Sequence, residues 1–135
     1  MIQAKQELLQ ALGVALAQVA PEAAVAPAFE SPKHASHGDL AITAAMALAK
    51  PLRKPPREIA NRLVDALQVQ PAMQRWVETI EIAGPGYVNL RLRAAARQQV
   101  VGEILAAGKR FGCRPPHGRR LMVEFVSANP TGPLH

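Results

Sequence analysis

The residues best suited to ligand chemistry lie near the carboxyl end of this sequence. Residues 121–126 are apolar except for Glu124, which is the pattern of a strand buried on both faces. Ser127, Asn129 and a Pro/Gly turn follow, and His135 is the last residue. In open α/β sheets, ligands bind just beyond the carboxyl ends of such strands. The pattern therefore predicts the first strand of an α/β sheet and the edge of a ligand-binding site.

A second group of polar side chains follows the glycine-rich turn at 84–86, on a predicted strand over residues 87–93. Because side chains alternate along a strand, one face carries an aromatic ring, an amide and two guanidinium groups. These belong to Tyr87, Asn89, Arg91 and Arg93. A ring can stack on an unpaired base, an amide can read its edge, and arginines can hold phosphate. The strand therefore suits an RNA contact, although an ordinary solvated sheet face fits the same residues.

The net charge of the chain favours a polyanionic partner. The formal charge is +6 and the pI about 10.3, so nucleic acid is the first candidate, although many basic proteins bind nothing acidic. The single Cys113 excludes an internal disulfide and fits a reducing compartment, so we expect a cytoplasmic protein. We expect no membrane association, because no apolar stretch approaches the roughly 20 residues of a spanning helix.

His34 and His37 are candidates for a metal site. They lie three residues apart in a polar loop, and no cluster of Cys, His or carboxylate residues completes the four ligands of a structural zinc. We therefore predict no metal site and interpret both residues as polar loop histidines or as donors near an RNA.

Two units are predicted to position these groups. Apolar periodicity predicts helices over residues 2–19, 40–49, from Pro55 onward and 94–111, and alternation predicts strands over 77–83 and 87–93, with a short strand at 29–30. The predicted fold class is α+β, a small antiparallel sheet packed with about four helices, followed by the first strand of a Rossmann-type α/β domain. The predicted boundaries are a first domain at 1–112, a linker at 113–120 and the start of a second domain at 121–135.

The sequence also predicts where two of these helices begin or end and which residues face inward. Asp39 is predicted to cap the helix of residues 40–49, because its carboxylate can accept the unpaired amides of the first turn. The helix of residues 94–111 is predicted to stop at Gly112. Its inward-facing residues are predicted to be Val101, Ile104, Leu105 and Phe111.

Several segments of the sequence resemble arginyl-tRNA synthetases, which are class I aminoacyl-tRNA synthetases. The run Ser-Ala-Asn-Pro-Thr-Gly-Pro-Leu-His at 127–135 resembles the entry to their His-x-Gly-His signature, of which only the first histidine, His135, is present. Ala-Met-Ala-Leu-Ala-Lys at 45–50 and Ala-Gly-Pro-Gly-Tyr-Val-Asn at 83–89 resemble segments of the family's amino-terminal additional domain. Tyr87 stands where the family usually has phenylalanine, which preserves stacking.

The resemblance implies that residues 1–112 recognise the D-loop and outer corner of tRNA(Arg). Tyr87 and Asn89 match the family's contact positions, with Arg91 and Arg93 as further tRNA-binding candidates. It also implies the parent reaction, in which ATP activates arginine as an adenylate before transfer to tRNA(Arg), with Mg²⁺ accompanying the ATP. The matching substrate-binding positions are Glu124, Ser127, Asn129 and His135, of which His135 is the catalytic candidate.

The same interpretation predicts how this piece of an arginine–tRNA ligase behaves by itself. We expect a monomer that binds tRNA, holds no cofactor and catalyses nothing, because the rest of the catalytic domain is missing from the sequence. Two alternatives remain open from the residues alone. One is a free-standing RNA-binding module, and the other is a helical adaptor that binds proteins through its alanine-rich surfaces.

Overall fold

The computed structural model describes residues 2–23, 25–32, 34–115, 118 and 120–124. Within these residues the α-helices are α1 (Ile2–Val19), α2 (Ala44–Leu52), α3 (Pro56–Gln68), α4 (Pro71–Trp76) and α5 (Ala94–Ala107). The strands are β1 (Leu40–Ile42), β2 (Val77–Ala83) and β3 (Tyr87–Leu92), and 3-10 turns lie at Ala35–His37 and Gly108–Arg110. The α+β class predicted from the sequence is confirmed.

The sheet is antiparallel and has the strand order β1-β3-β2, so β3 is the central strand. β2 and β3 form the predicted hairpin, and Asn89 of β3 lies between Ala41 of β1 and Glu81 of β2. Glu30 makes an isolated antiparallel bridge to Ala41 on the outer side of β1. The short strand predicted at 29–30 is therefore a single bridge, which extends the sheet by one residue pair.

One face of the sheet lies against the hydrophobic core. Val88, Leu90 and Leu92 of β3 are each at most 1% exposed, as their alternation predicts. α1 and α3 pack against each other, α2 packs on α3, and α3 contacts both β2 and β3. Burying one such side chain contributes about 1.5–3 kcal/mol. This layer fixes the sheet and leaves the opposite face for other contacts.

α1 and α3 are helical because their apolar residues recur every three or four positions. The resulting buried stripes contain Leu8, Leu12 and Leu16 in α1, and Ile59, Leu63 and Leu67 in α3. Pro56 is the first residue of α3, a position where the missing N–H of proline has no intrahelical partner to lose.

α4 is a six-residue helix that the sequence pattern near Trp76 did not predict. It lies between α3 and β2 in the chain and packs against both α1 and β2. Trp76 Nε1 donates to Glu7 Oε2 at 2.6 Å, and the guanidinium carbon of Arg75 lies 4.3 Å from the centroid of the Trp76 ring. The hydrogen bond from Trp76 is the main reason why the pKa of Glu7 lies below its ordinary value of 4.5.

The helix predicted over residues 40–49 is wrong at its start. Residues 40–42 form β1 on the edge of β3, and the helix begins only at Ala44 and continues to Leu52. A central strand needs partners for its N–H and C=O groups on both sides, and that demand outweighs the local helix propensity of an alanine-rich run.

Asp39 consequently does not cap the helix as predicted. Its Oδ2 accepts a hydrogen bond from the backbone N–H of Leu92 at 2.8 Å. Its own backbone N–H donates to the carbonyl oxygen of Leu90 at 2.8 Å. Asp39 therefore continues the pairing between β1 and β3 and joins the start of β1 to the end of β3.

The predicted inward face of α5 is also wrong. Val101, Ile104, Leu105 and Phe111 are 56%, 41%, 77% and 36% exposed. α5 ends at Ala107 rather than near Gly112, and Ala96 in its first turn is the helix's buried residue. Its apolar residues surround the helix instead of forming one stripe, so periodicity could not predict which side faces the core. We name these four exposed residues the α5 apolar surface.

Within residues 2–23, 25–32, 34–115, 118 and 120–124, no helix combines the length and hydropathy that a membrane span requires.

Candidate nucleic-acid interface

The open face of the sheet carries the polar residues of β3 that alternation predicts. Tyr87, Asn89 and Arg91 lie on this face, opposite the buried Val88 and Leu90. Tyr87 is 39% exposed, whereas Asn89 is only 7% exposed. Asn89 is therefore not a freely solvated residue of an open sheet face, because neighbouring segments enclose it.

These neighbours form a groove of about 470 Å³ across the open face of the sheet. Ala41 and Asn89 belong to the paired strands at its floor. Ala83, Gly84 and Tyr87 border it at the hairpin end, Glu30, Ser31 and Pro32 border it beyond the outer side of β1, and His34 and His37 border it from the turn that contacts β3. Its volume falls within the roughly 300–1,000 Å³ typical of small-ligand sites. We name this cavity the β3 groove.

Asn89 is the polar residue at the floor of the β3 groove. Within the described part of the chain, no side chain or backbone group forms a hydrogen bond with its amide. No side-chain atom of Asn89 is among the fully buried polar atoms of the described residues that lack a hydrogen-bond partner, so its amide is open to the β3 groove. The arrangement therefore fits a side chain whose partner enters through the groove.

The hairpin turn that positions Tyr87 is fixed by the start of α3. Arg57 Nη1 donates to the carbonyl oxygen of Gly84 at 3.1 Å. Gly86 has φ +154°, and a Cβ atom there would lie 3.0 Å from the carbonyl carbon and oxygen of Pro56. A side chain at Gly86 would be strained in this close approach to Pro56, so glycine lets the turn before Tyr87 lie directly against α3.

Arg91 and Arg93 have different surroundings. Arg91 is exposed, and its Nη2 donates to the carbonyl oxygen of Ser36 at 3.0 Å. Arg93 lies beyond the end of β3, where it precedes α5 and its backbone N–H donates to the carbonyl oxygen of Trp76 at 2.9 Å. Arg91 therefore stands next to the turn that borders the β3 groove, while strand alternation no longer determines the direction of Arg93.

Negative charge also borders the groove. Thr43 Oγ1 donates to the carboxylate of Glu30 at 2.9 Å, and Glu30 contributes to the groove lining. A carboxylate repels phosphate but can accept an N–H from a nucleobase. The charge pattern therefore suits a base inside the groove and a phosphate near the exposed Arg91.

The predicted catalytic residues are not brought together in the described part of the chain. Glu124 is exposed, and residues 120–124 pair with no described strand. Ser127, Asn129 and His135 lie outside the described residues, as does the remainder of the strand predicted over 121–126. Among the described residues, no group of three or more His, Cys, Asp or Glu side chains has an arrangement that could hold a metal ion.

Sequence reasoning missed residues that shape the groove from a distance. Arg57 in α3 donates a hydrogen bond to the hairpin turn, and no local sequence pattern predicts that contact. Gly38 also was not recognised as a structural requirement, although a Gly-Asp pair before a strand is a turn signal. A Cβ atom on Gly38 would lie 2.6 Å from the carbonyl oxygen of Leu90, so the loop that carries it rests directly on β3.

Comparison with known proteins identifies the family. The sequence model of the family described as "Arginyl tRNA synthetase N terminal domain" matches residues 6–92, which is more than half of the chain. The chain belongs to this family. All residues that line the β3 groove, from Glu30 to Asn89, lie within the part that matches the arginyl-tRNA synthetase N-terminal domain.

Relatives of this arginyl-tRNA synthetase N-terminal domain bear out the assignment. An arginine–tRNA ligase from Leptothrix cholodnii is 67% identical over all 135 residues, and one from Methylibium petroleiphilum is 63% identical over the same length. A third, from Acidovorax ebreus, is 58% identical. The chain is covered completely in each comparison and spans 24% of the length of each relative.

Proposed function

We propose that the β3 groove binds an unpaired nucleotide at the D-loop corner of tRNA(Arg), within an arginine–tRNA ligase. The observation that carries the proposal is Asn89, a polar residue 7% exposed at the floor of a groove bordered by the more exposed Tyr87. RNA-binding proteins read unpaired bases with this combination of an amide and an aromatic ring. Membership of the arginyl-tRNA synthetase N-terminal domain family supports tRNA as the source of that base.

Each side chain has a separate role in the proposed contact. The ring of Tyr87 stacks on the extruded base, and the Asn89 amide donates to and accepts from the edge of that base. Arg91 contacts a neighbouring phosphate, since the carbonyl oxygen of Ser36 already holds its guanidinium beside the groove. Arg93 supplies further positive charge where the backbone leaves β3. The formal charge of +6 favours the approach of a polyanion to the whole chain.

The proposed reaction of the whole protein is the ligation of arginine to tRNA(Arg). Arginine and ATP, with Mg²⁺ accompanying the ATP, give arginyl-adenylate and pyrophosphate, and the 3′ end of the tRNA then displaces AMP. In this proposal Glu124, Ser127 and Asn129 bind arginine, because carboxylate and neutral oxygen atoms accept hydrogen bonds from its cationic groups. In the same proposal, His135 donates a hydrogen bond to a phosphate oxygen of ATP.

The test of the proposed tRNA contact is substitution of the two groove residues. Tyr87→Ala and Asn89→Ala should each weaken binding of a tRNA(Arg) transcript by about tenfold or more, because a stacked base contributes about 1–3 kcal/mol and a buried hydrogen-bonded edge a similar amount. Fluorescence anisotropy with labelled transcript measures the dissociation constant. Tyr87→Phe should bind like the unaltered chain, since it retains the flat ring.

Lys5→Ala is the matched control, because it removes an exposed charge from α1, on the core side of the sheet. It should leave the dissociation constant for the transcript within about twofold, because one exposed charge away from the proposed RNA contact contributes little to binding. Circular dichroism should show the same helix content in all variants. If Tyr87→Ala and Asn89→Ala bind the transcript as tightly as Lys5→Ala does, the β3 groove is not the tRNA site.

A further inference from the structure

His34 and His37 border the β3 groove together with Tyr87 and Asn89. Both histidines are exposed, and their rings meet edge to face with centroids 5.5 Å apart and planes at 90°. The two imidazoles therefore present a paired aromatic surface at the groove rather than contributing to the hydrophobic core.

The turn that carries these rings is anchored to β3 at three points. Gly38 lies so close to β3 that a Cβ atom would be 2.6 Å from the carbonyl oxygen of Leu90. The same oxygen accepts the backbone N–H of Asp39 at 2.8 Å. Arg91 Nη2 binds the carbonyl oxygen of Ser36 at 3.0 Å. The imidazoles consequently have a defined position relative to Asn89, which immediately precedes Leu90.

The histidine turn and Tyr87 lie at different positions along β3. Tyr87 is the first residue of β3 after the β2–β3 turn, whereas the histidine turn contacts the strand at Leu90 and Arg91. Asn89 lies on the central strand between these positions. A flat ligand that contacts Asn89 within the groove therefore has aromatic side chains from two separate segments along its lining.

The remaining lining indicates which part of a nucleotide occupies this space. Pro32, Ala41 and Ala83 are small and apolar, and the carboxylate of Glu30 disfavours a phosphate. An aromatic, neutral group with hydrogen-bonding edges satisfies all of these surroundings. A nucleobase has that chemistry, while its ribose and phosphates can remain outside.

We propose that His34 and His37 form a second aromatic wall of the β3 groove and pack against the base that Tyr87 stacks on and Asn89 reads. This rests on the proposed tRNA contact and adds two residues that determine its affinity. The contact is made by the imidazole ring faces and edges, so another flat aromatic ring can substitute for them.

The experiment compares two double variants of the 135-residue chain. H34A/H37A removes both rings and should weaken binding of a tRNA(Arg) transcript by about 5- to 50-fold, within the range of one or two lost stacking contacts. H34F/H37F keeps two flat rings and should bind within about threefold of the unaltered chain. Both positions are exposed, so circular dichroism and thermal melting should be unchanged in both variants.

A second transcript locates the contact on the RNA. In a tRNA(Arg) transcript whose D-loop nucleotides are replaced by abasic residues, the unaltered chain and H34A/H37A should bind equally weakly, because the partner of the rings is already absent. An additive loss would place the histidines elsewhere on the RNA and overturn the proposal. Equal losses in the alanine and phenylalanine variants would overturn the aromatic contact.

The outcomes for Tyr87→Ala separate this proposal from the proposed function. If Tyr87→Ala loses affinity while H34A/H37A binds like the unaltered chain, the second wall is refuted and the tRNA site stands. If neither variant loses affinity, or the unaltered chain does not bind the transcript, both proposals fail.

Discussion

At the scale of single residues, the burial of Asn89 distinguishes a built site from a polar sheet face. Alternation alone assigns Tyr87, Asn89 and Arg91 to one side of β3, and the structure confirms that assignment. The depth of Asn89 arises from segments distant in the sequence, which alternation does not describe. The pattern could therefore predict which residues point to this side, but not that they line a groove.

Arg91 should contribute to tRNA affinity through its charge, in addition to holding the histidine turn at Ser36. We expect Arg91→Ala to weaken binding and to reduce the slope of log K against log salt concentration by about one, because one fewer counterion is released. Binding isotherms between 50 and 200 mM KCl measure that slope. Tyr87→Ala should weaken binding at every salt concentration and leave the slope unchanged. An unchanged slope for Arg91→Ala would place its guanidinium away from phosphate.

The same titration addresses the adaptor alternative. A protein partner docked on apolar surface should show little dependence on salt, whereas affinity for RNA should fall steeply as salt rises.

At the scale of elements, the histidine turn and β3 depend on one glycine. Gly38→Ala should destabilise the fold by about 1–3 kcal/mol, because its φ of +103° disfavours a side chain and the added Cβ meets the Leu90 carbonyl. Urea denaturation followed by circular dichroism measures the free energy of unfolding.

Gly102→Ala is the matched control, since nothing lies within 4 Å of its Cβ position inside α5. That control should stabilise the helix by about 0.5–1 kcal/mol. Equal effects of the two changes would contradict the close contact at Gly38.

The contact between α1 and α4 should make stability depend on pH. The pKa of Glu7 is lowered in the folded chain, chiefly by the hydrogen bond from Trp76. Folding therefore favours the ionised carboxylate of Glu7 over its protonated form. This stabilisation is present above the ordinary glutamate value of 4.5 and is lost as pH falls through the lower folded value.

We therefore expect Glu7→Gln to be less stable than the unaltered chain at pH 7, and the difference to shrink below pH 4. Urea denaturation at several pH values, followed by Trp76 fluorescence, measures it. A difference that stays constant from pH 7 to pH 3 would show that ionisation of Glu7 does not contribute to the contact.

The elements differ in how far the sequence predicts them, for physical reasons. α1 has the predicted bounds, 2–19, because its apolar residues recur every three or four positions. β2 also has the predicted bounds, 77–83, although a register shift between Val77 and Thr79 interrupts its alternation. β1 was missed because three residues are too short to show a period, and its strand form depends on pairing with β3. α5 was predicted as a helix, but its apolar residues lie all around it and leave its buried side undetermined.

At the scale of the whole molecule, this domain is expected to bind tRNA without performing chemistry. The chain spans 24% of the length of the arginine–tRNA ligases it resembles. Incubating it with arginine, ATP, Mg²⁺ and tRNA(Arg) should give no arginyl-adenylate and no charged tRNA. Pyrophosphate exchange and acid-gel separation of charged tRNA measure these products. Formation of either product above a blank would refute the prediction that this domain binds tRNA without catalysing the reaction.

The α5 apolar surface has a practical consequence for handling the domain. Val101, Ile104 and Leu105 face solvent on a helix that is attached to the body by its first two turns, where Ala96 is buried and Gln99 Nε2 donates to Gln3 Oε1. Exposed aliphatic groups of this kind favour adhesion to other molecules of the same protein and to chromatography resins. Replacing Ile104 and Leu105 with glutamine should improve recovery in concentrated solution, and it leaves the β3 groove, whose lining lies within residues 30–89, unaltered.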